Sequence, residues 1–386
     1  MNMFNNQPLQ LLNQLTPSQF LEQYWQKKPL LIKNAISNFI GLLSPQELAG
    51  LACEDNVQAR IVQKKTDNWQ LRNGPFDESD FLKLPDNDWT LLVQSVNHYL
   101  PEAAELLAQF NFIPKARLDD LMISYAPDGG GVGAHIDSYD VFLLQGSGRR
   151  NWKISSQTDL TLIEGAPLKI LSNFVAEQEW TLEAGDMLYL PPQIAHWGVA
   201  DGNDCMTYSI GFRAPKSHEL THEFLSYLQD NLIFNNTNKS LYSDPDLTLQ
   251  NNPAAISECM VNKVCNMLQK INWDNDHVAD FLGKYLTEPK SNIYFKPAKK
   301  LSLQKFIMRL QKETLMLDLK SQMLFTNNAF YLNGEKIVVS QHLTYLMQLL
   351  ANHRNLNISS QTIAFQNQVA DVLYESYLAG YIGFEA

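Results

Sequence analysis

Short apolar runs crowd the middle of this chain, while apolar residues recur at helical spacing on either side of it. Before residue 90, helix starts alternate with short strands. Thr16-Pro17-Ser18-Gln19 sets a hydroxyl at the N-cap, proline at the first helical position and glutamine at the third, which predicts a helix through Tyr24-Trp25. Ser44-Pro45-Gln46-Glu47 repeats the device, and the apolar 29–32 between them predicts a buried strand. From about 120 to 213 the runs 121–125, 139–144, 152–155, 187–190 and 206–212 are broken by Gly, Pro, Asn and Asp. Many short strands at close spacing predict a barrel or sandwich. After Pro215 the period lengthens, and Ile256, Met260, Val264, Met267 and Ile271 fall on one helix face. Such a face can pack on a second subunit or back on its own chain. From about 288 the pattern gives a helix over 301–316, a strand over 323–325, a turn at Asn327-Asn328 and a strand over 329–332. An Asn333-Gly334 hairpin turn, a strand over 336–339 and helices near 343–351 and 366–379 follow.

A chain of 386 residues, 45% hydrophobic and 18% charged, predicts two or three soluble globular domains with ample core. No run of eighteen apolar residues predicts a membrane span, and the first residues lack the pattern of a secretory signal. The four cysteines (Cys53, Cys205, Cys259, Cys265) are scattered, as small buried residues of a reducing compartment would be. A net charge of −11 argues against gripping nucleic acid by overall charge. The C-terminal order of helices and hairpin resembles a winged helix. From 288 onward ten Lys/Arg face seven Asp/Glu, a net +3 that leaves −14 on the rest and keeps a nucleic-acid-binding regulator as an alternative. However, Lys290, Lys296, Lys299 and Lys300 cluster before the first helix of that region rather than on a recognition helix.

The candidate chemistry lies in Gly129-Gly130-Gly131-Val132-Gly133-Ala134-His135-Ile136-Asp137 and in His196 of Leu190-Pro191-Pro192-Gln193-Ile194-Ala195-His196-Trp197. Residues i and i+2 of a strand point to one side, so His135 and Asp137 can grip one ion together, with His196 arriving from another strand. Two histidines and a carboxylate hold one face of Fe(II) and leave the other open to substrate and O2. An oxygenase that uses 2-oxoglutarate must also neutralise its distal carboxylate. In Arg149-Arg150-Asn151-Trp152-Lys153-Ile154, Arg150 shares parity with the apolar, inward Trp152 and Ile154, and Arg149 with the polar set. Arg150 is therefore the expected anchor, holding a carboxylate bidentately. The glycines suit either a flexible loop or a surface that an incoming polypeptide can approach closely. Asp186 suits a turn better than a ligand set. A competing motif, His218-Glu219-Leu220-Thr221-His222, matches the zinc-peptidase pattern, with Ser217 as a candidate cap, but no obvious third ligand accompanies it.

Together these motifs resemble the bacterial JmjC-type ribosomal oxygenases. The likeness is carried by Phe20-Leu21-Glu22-Gln23-Tyr24-Trp25-Gln26-Lys27-Lys28-Pro29-Leu30, by Gly129–Asp137 with Tyr139-Asp140-Val141-Phe142-Leu143-Leu144-Gln145, by Gly148-Arg149-Arg150-Asn151-Trp152 and by Leu378-Ala379-Gly380-Tyr381-Ile382. The resemblance implies an α+β chain: a double-stranded β-helix (cupin/JmjC jelly-roll) barrel over 1–215, a helical dimerisation segment over 216–287 and a winged-helix-like domain over 288–386. It implies His135, Asp137 and His196 as iron ligands, Arg150 as the 2-oxoglutarate anchor and Ser124 as a weaker cosubstrate contact. Fe(II), 2-oxoglutarate and O2 would then drive 3-hydroxylation of an arginine in large-subunit ribosomal protein L-sixteen. Asp128 and Asp140 are candidates to receive the guanidinium. A cytoplasmic homodimer that does not read DNA is the expected state, and a cupin using the same ligands for a non-oxygenase reaction is the remaining alternative.

Overall fold

The computed structural model describes residues 6–65, 68–233, 242–297 and 299–385; residues 1–5, within the stretch expected to hold no secretory signal, lie outside them. The chain divides into two compact units, Met1–Ala214 with Lys290–Lys296 and Asp318–Lys320, and Pro215–Pro289 with Pro297–Leu317 and Ser321–Ala386.

In the first unit both N-terminal helix signals act as expected. α1 (Pro17–Gln23) and α2 (Pro45–Ala52) open on capping boxes made by Thr16 with Gln19 and by Ser44 with Glu47. β1 (Leu30–Ile32) lies between them, followed by β2 (Ala59–Lys65), β3 (Asn68–Asn73), α3 (Glu78–Phe81), β4 (Trp89–Val93) and α4 (Pro101–Ala108). Then come β5 (Leu118–Ala126), β6 (His135–Ile136), β7 (Val141–Ser155), β8 (Gln178–Leu182), β9 (Met187–Leu190) and β10 (Ala195–Phe212). These strands pair antiparallel in the order β1-β9-β7-β10-β5-β4-β2-β3, with β6 on β10 and β8 on β7.

The runs 139–144 and 152–155 prove to be two halves of one long strand, β7, and 206–212 is the second half of β10. The glycines between the halves bend β7 instead of ending it. A side chain at Gly146 would collide with the Tyr208 ring, and Gly148 takes φ +61°. The early half of β7 pairs with β9 and the late half with β8, while β10 runs along both and reaches β5. Two long strands shared in this way wind the sheet into a double-stranded β-helix.

Phe20 of α1 plugs one face of this barrel, with ring centroids 5.0 Å from Tyr189 and 5.5 Å from Phe142. Beside it Asp140 is fully buried. It accepts hydrogen bonds from the Tyr189 hydroxyl (2.6 Å) and Gln26 (2.9 Å) and lies 3.5 Å from Arg117. Asp140 is therefore a structural node that ties the N-terminal segment to the barrel and is absent from the cavity lining, which removes it as a guanidinium receptor. Replacing Asp140 with alanine leaves the buried Tyr189 hydroxyl without its acceptor and frees Gln26 and Arg117, so a loss of about 3–5 kcal/mol is expected in urea unfolding.

The second unit begins with α5 (Ser217–Leu228), α6 (Glu258–Leu268) and α7 (Asn275–Thr287). Ser217 is the first residue of α5; its N-cap is Lys216, with no side-chain cap bond, so the expected serine cap is not formed. α8 (Leu303–Leu310), β11 (Leu315–Leu317), β12 (Met323–Phe325), β13 (Phe330–Leu332), β14 (Glu335–Ile337), α9 (Thr344–His353), β15 (Asn355–Leu356), α10 (Ile363–Leu378) and β16 (Ile382–Phe384) complete a winged helix. The helix expected over 301–316 stops at Leu310, because Leu315–Leu317 is taken by strand pairing with β15 and β16. Asn333 and Gly334 both take positive φ, 50° and 87°, and form the expected tight hairpin. Asp280 on α7 accepts from Tyr227 of α5 and Tyr331 of β13 and pairs with Lys284 and with Lys336 of β14. Burial opposes its charge, but hydrogen bonds from Lys336, Lys284 and Tyr227 outweigh that and hold its pKa down to about 2. α6 buries none of its residues; Met260, Val264 and Met267 stay exposed. No helix of the described residues is long and apolar enough to cross a membrane.

Candidate active site

Strand alternation sends side chains of β2, β4, β5, β7 and β10 into one cavity of about 370 Å³. Its wall carries Arg60 and Val62 from β2, Thr90 and Leu92 from β4 with Gln94 just past its end, Asp120, Met122 and Ser124 from β5, Thr207 and Ser209 from β10, and Arg150 and Trp152 from β7.

Backbone register assembles the candidate metal ligands. His135 of β6 pairs directly with His196 of β10, and Asp137 follows one residue beyond β6. Ligand atoms of His135, Asp137 and His196 lie within 4.8 Å of one another, and among the described residues they form the one such trio of His, Cys, Asp or Glu. Both imidazoles are held the same way. Nδ1 of His135 lies 3.0 Å from the Gly133 carbonyl oxygen, and Nδ1 of His196 lies 2.9 Å from that of Ile194. Each Nδ1–H donated to a carbonyl leaves Nε2 as the lone-pair donor. His196 Nε2 lies 3.6 Å from Asp137 Oδ2. Burial, reinforced by the neighbouring His135, lowers the His196 pKa to about 4, so the ring is neutral and ready to ligate.

The glycines before His135 serve the chain's own close packing rather than an incoming polypeptide. Gly129 and Gly130 exchange hydrogen bonds with Ala200 of β10, and a side chain at Gly130 would collide with the Trp89 carbonyl. Gly133 takes φ +83° with Ile170 against it.

Arg150 is 4% exposed, whereas Arg149, next to it, pairs with Asp201 at 3.1 Å on the outside. Arg150 Nη1 donates to the Gly198 carbonyl at 3.3 Å, and its Nε and Nη2 are buried without a partner among the described residues. A buried guanidinium with two open donors is costly unless a ligand supplies oxygens, and a carboxylate matches the fork. The three ligand atoms and this cradle fit iron and a dicarboxylate. Ser124 is buried in the same wall, opposite Thr207. Asp186 is engaged elsewhere, by Lys33 at 2.7 Å and the backbone N–H groups of Asn34 and Glu183. Asp128 lies outside the cavity lining and accepts from the Gly202 N–H at 2.7 Å. In the competing motif, Glu219 accepts from the Tyr285 hydroxyl at 2.7 Å.

Sequence reasoning missed Asp120, Tyr139, Arg60 and Gln94. Tyr139 continues the alternation of His135 and Asp137; burial, together with the charge of and a hydrogen bond to Asp137, raises its phenol pKa. Asp120 shares parity with Ser124 and is likewise raised, by burial and by Asp119 beside it. Arg60 and Gln94 come from strands remote in sequence, and nothing local marks them.

A JmjC-domain family profile matches residues 105–220, and a ROXA-like winged-helix profile matches 270–383. Over 279 residues the chain is 38% identical to the ribosomal protein uL16 3-hydroxylase of Escherichia coli, covering 72% of this chain and 73% of that one. The chain belongs to the JmjC ribosomal oxygenases. A probable ribosomal oxygenase of Haemophilus influenzae is 40% identical over 61% of this chain and 56% of its own. The ribosomal oxygenase YcfD from Escherichia coli superposes with a TM-score of 0.81 at 33% identity, covering 96% of this chain and 98% of that one. A YcfD structure in complex with cobalt and 2-oxoglutarate superposes with a TM-score of 0.80 at 34% identity, again covering 96% and 98%.

Proposed function

We propose that this ribosomal oxygenase is an Fe(II)- and 2-oxoglutarate-dependent dioxygenase that hydroxylates C-3 of an arginine in large-subunit ribosomal protein uL16. The observation that carries this reading is one cavity holding both the His135–Asp137–His196 trio and the buried, half-satisfied guanidinium of Arg150. His135, Asp137 and His196 would hold the iron, Arg150 the distal carboxylate of 2-oxoglutarate, with Ser124 a lesser contact. Bound iron with 2-oxoglutarate and O2 supplies the oxidising chemistry, which leaves succinate and carbon dioxide as coproducts.

The protein's part is to hold and to exclude. The two Nδ1 bonds fix the imidazoles, so little reorganisation is needed when the metal binds. Asp120, buried in the wall with its Oδ2 accepting from the Ser95 N–H and hydroxyl at 2.9 Å, would offer Oδ1 to the substrate guanidinium, which would restore the charge that burial disfavours. Asp119 is already engaged by Lys290 at 3.0 Å and Arg213 at 3.5 Å. The test is mass spectrometry of uL16 incubated with enzyme, iron and 2-oxoglutarate. One added oxygen at C-3 of an arginine is expected; succinate formation with unchanged uL16 would remove the substrate, and no succinate with iron and 2-oxoglutarate bound would favour the non-oxygenase cupin.

In this reading 1–215 is catalytic, 216–287 dimerises and 288–386 is the winged helix. The exposed apolar face of α6 supports a homodimer, so Val264→Lys is expected to give a monomer by light scattering where the parent protein runs as a dimer. Neither α9 nor α10 carries a Lys or Arg, which supports the absence of direct DNA reading. A ribosomal substrate places its work in the cytoplasm.

A further inference from the structure

Hydroxylation at C-3 makes a demand that the metal ligands and Arg150 do not meet. C-3 is the β-carbon, one bond from the main chain. The backbone of the target residue must therefore enter the cavity rather than stop at its mouth. Its carbonyl oxygens lose water there and need donors from the wall.

On the β2–β4 wall, Ala59 and Ile61 join the core behind the sheet, so Arg60 between them faces the cavity. Arg60 Nε is buried without a partner. Among the described residues its Nη2 meets only the Met122 sulfur, at 4.0 Å, a weak acceptor. A guanidinium donates and never accepts, so this group awaits an oxygen. It would repel the guanidinium of the target and thus suits a different part of the substrate. Gln94 lies diagonal to it across the β2–β4 ladder, where its N–H bonds the Gln58 carbonyl while Arg60 opposes Leu92. Its side-chain amide can both donate and accept, as an adjoining peptide group requires.

We propose that Arg60, seconded by Gln94, holds a main-chain carbonyl of the substrate polypeptide beside the target residue, placing its β-carbon at the metal. This rests on the C-3 hydroxylase reading above. It makes Arg60 a binding residue for polypeptide and not for cosubstrate.

The test uses full-length protein and a uL16 peptide carrying the target arginine. Peptide affinity is measured with cobalt and 2-oxoglutarate bound, and KM and kcat with iron. Arg60→Met is expected to weaken peptide binding and raise its KM about tenfold, the scale of one charge-assisted hydrogen bond, with a smaller fall in kcat from looser placement of the β-carbon. KM for 2-oxoglutarate should not move, and Arg60→Lys should recover part of the affinity. Unchanged peptide affinity would overturn the proposal, as would an equal loss toward 2-oxoglutarate. A loss that vanishes when the peptide's Asp and Glu are replaced by Asn and Gln would assign Arg60 to an acidic side chain, and overturn the main-chain assignment. If the unsubstituted enzyme turns over 2-oxoglutarate but leaves the peptide unmodified, the substrate reading fails first and Arg60's role falls with it.

Discussion

Asp137→Ala is expected to lower peptide-coupled 2-oxoglutarate turnover by roughly 10³-fold or more, while His222→Ala leaves it unchanged. Asp137 contributes the anionic ligand of the trio, and its Oδ2 lies 3.6 Å from His196 Nε2. Removing it leaves two imidazoles with no anionic ligand beside them, which bind a divalent hard-to-borderline ion more weakly and leave its charge uncompensated. A loss of several kcal/mol in transition-state stabilisation corresponds to about that rate factor. The measurement is succinate release with iron and peptide saturating, paired with bound iron by metal analysis. Near-normal turnover with Asp137→Ala would refute the ligand assignment. Loss with His222→Ala would instead bring the α5 motif back into play.

The second large effect concerns Arg150. In Arg150→Met, KM for 2-oxoglutarate is expected to rise by roughly 10²-fold or more, the cost of removing one partner from a buried, hydrogen-bonded charge pair. The fold should not suffer. Without cosubstrate, Arg150 leaves Nε and Nη2 buried and unpartnered beside Trp152 and near Leu182. An apolar chain of similar length removes that penalty, so the thermal midpoint of the variant should equal or exceed that of the parent. What it should lose is the stabilisation that 2-oxoglutarate confers through binding to the folded state alone. Thermal scans with and without 2-oxoglutarate, beside steady-state kinetics, read both arms. A lowered midpoint with unchanged KM would make Arg150 a structural residue.

Much of the fold was legible because its signals are local. Capping boxes at Thr16 and Ser44, the Asn333-Gly334 turn and the parity of Arg149 and Arg150 each depend on a few neighbouring residues. The errors arose where a distant partner decided. Glycines that punctuate a sequence bent β7 without ending it, because β10 pairs along both halves. Leu315–Leu317, helical by composition, became a strand because two other strands bracket it. Asp140, by sequence a candidate to receive the guanidinium, is buried because Tyr189 and Gln26 close over it.

The sequence by itself picked out the candidate ligand trio and the inward cation, since the His-x-Asp spacing sets His135 and Asp137 close together and strand parity turns Arg150 away from Arg149. Only the tertiary structure decided what surrounds them. Pairing of β6, β7 and β10 brings His196 to His135, and the β2–β4–β5 ladder brings Arg60, Gln94 and Asp120 to the same cavity. Alternation within a strand is local and written in the chain, whereas register between strands depends on every residue that the sheet buries.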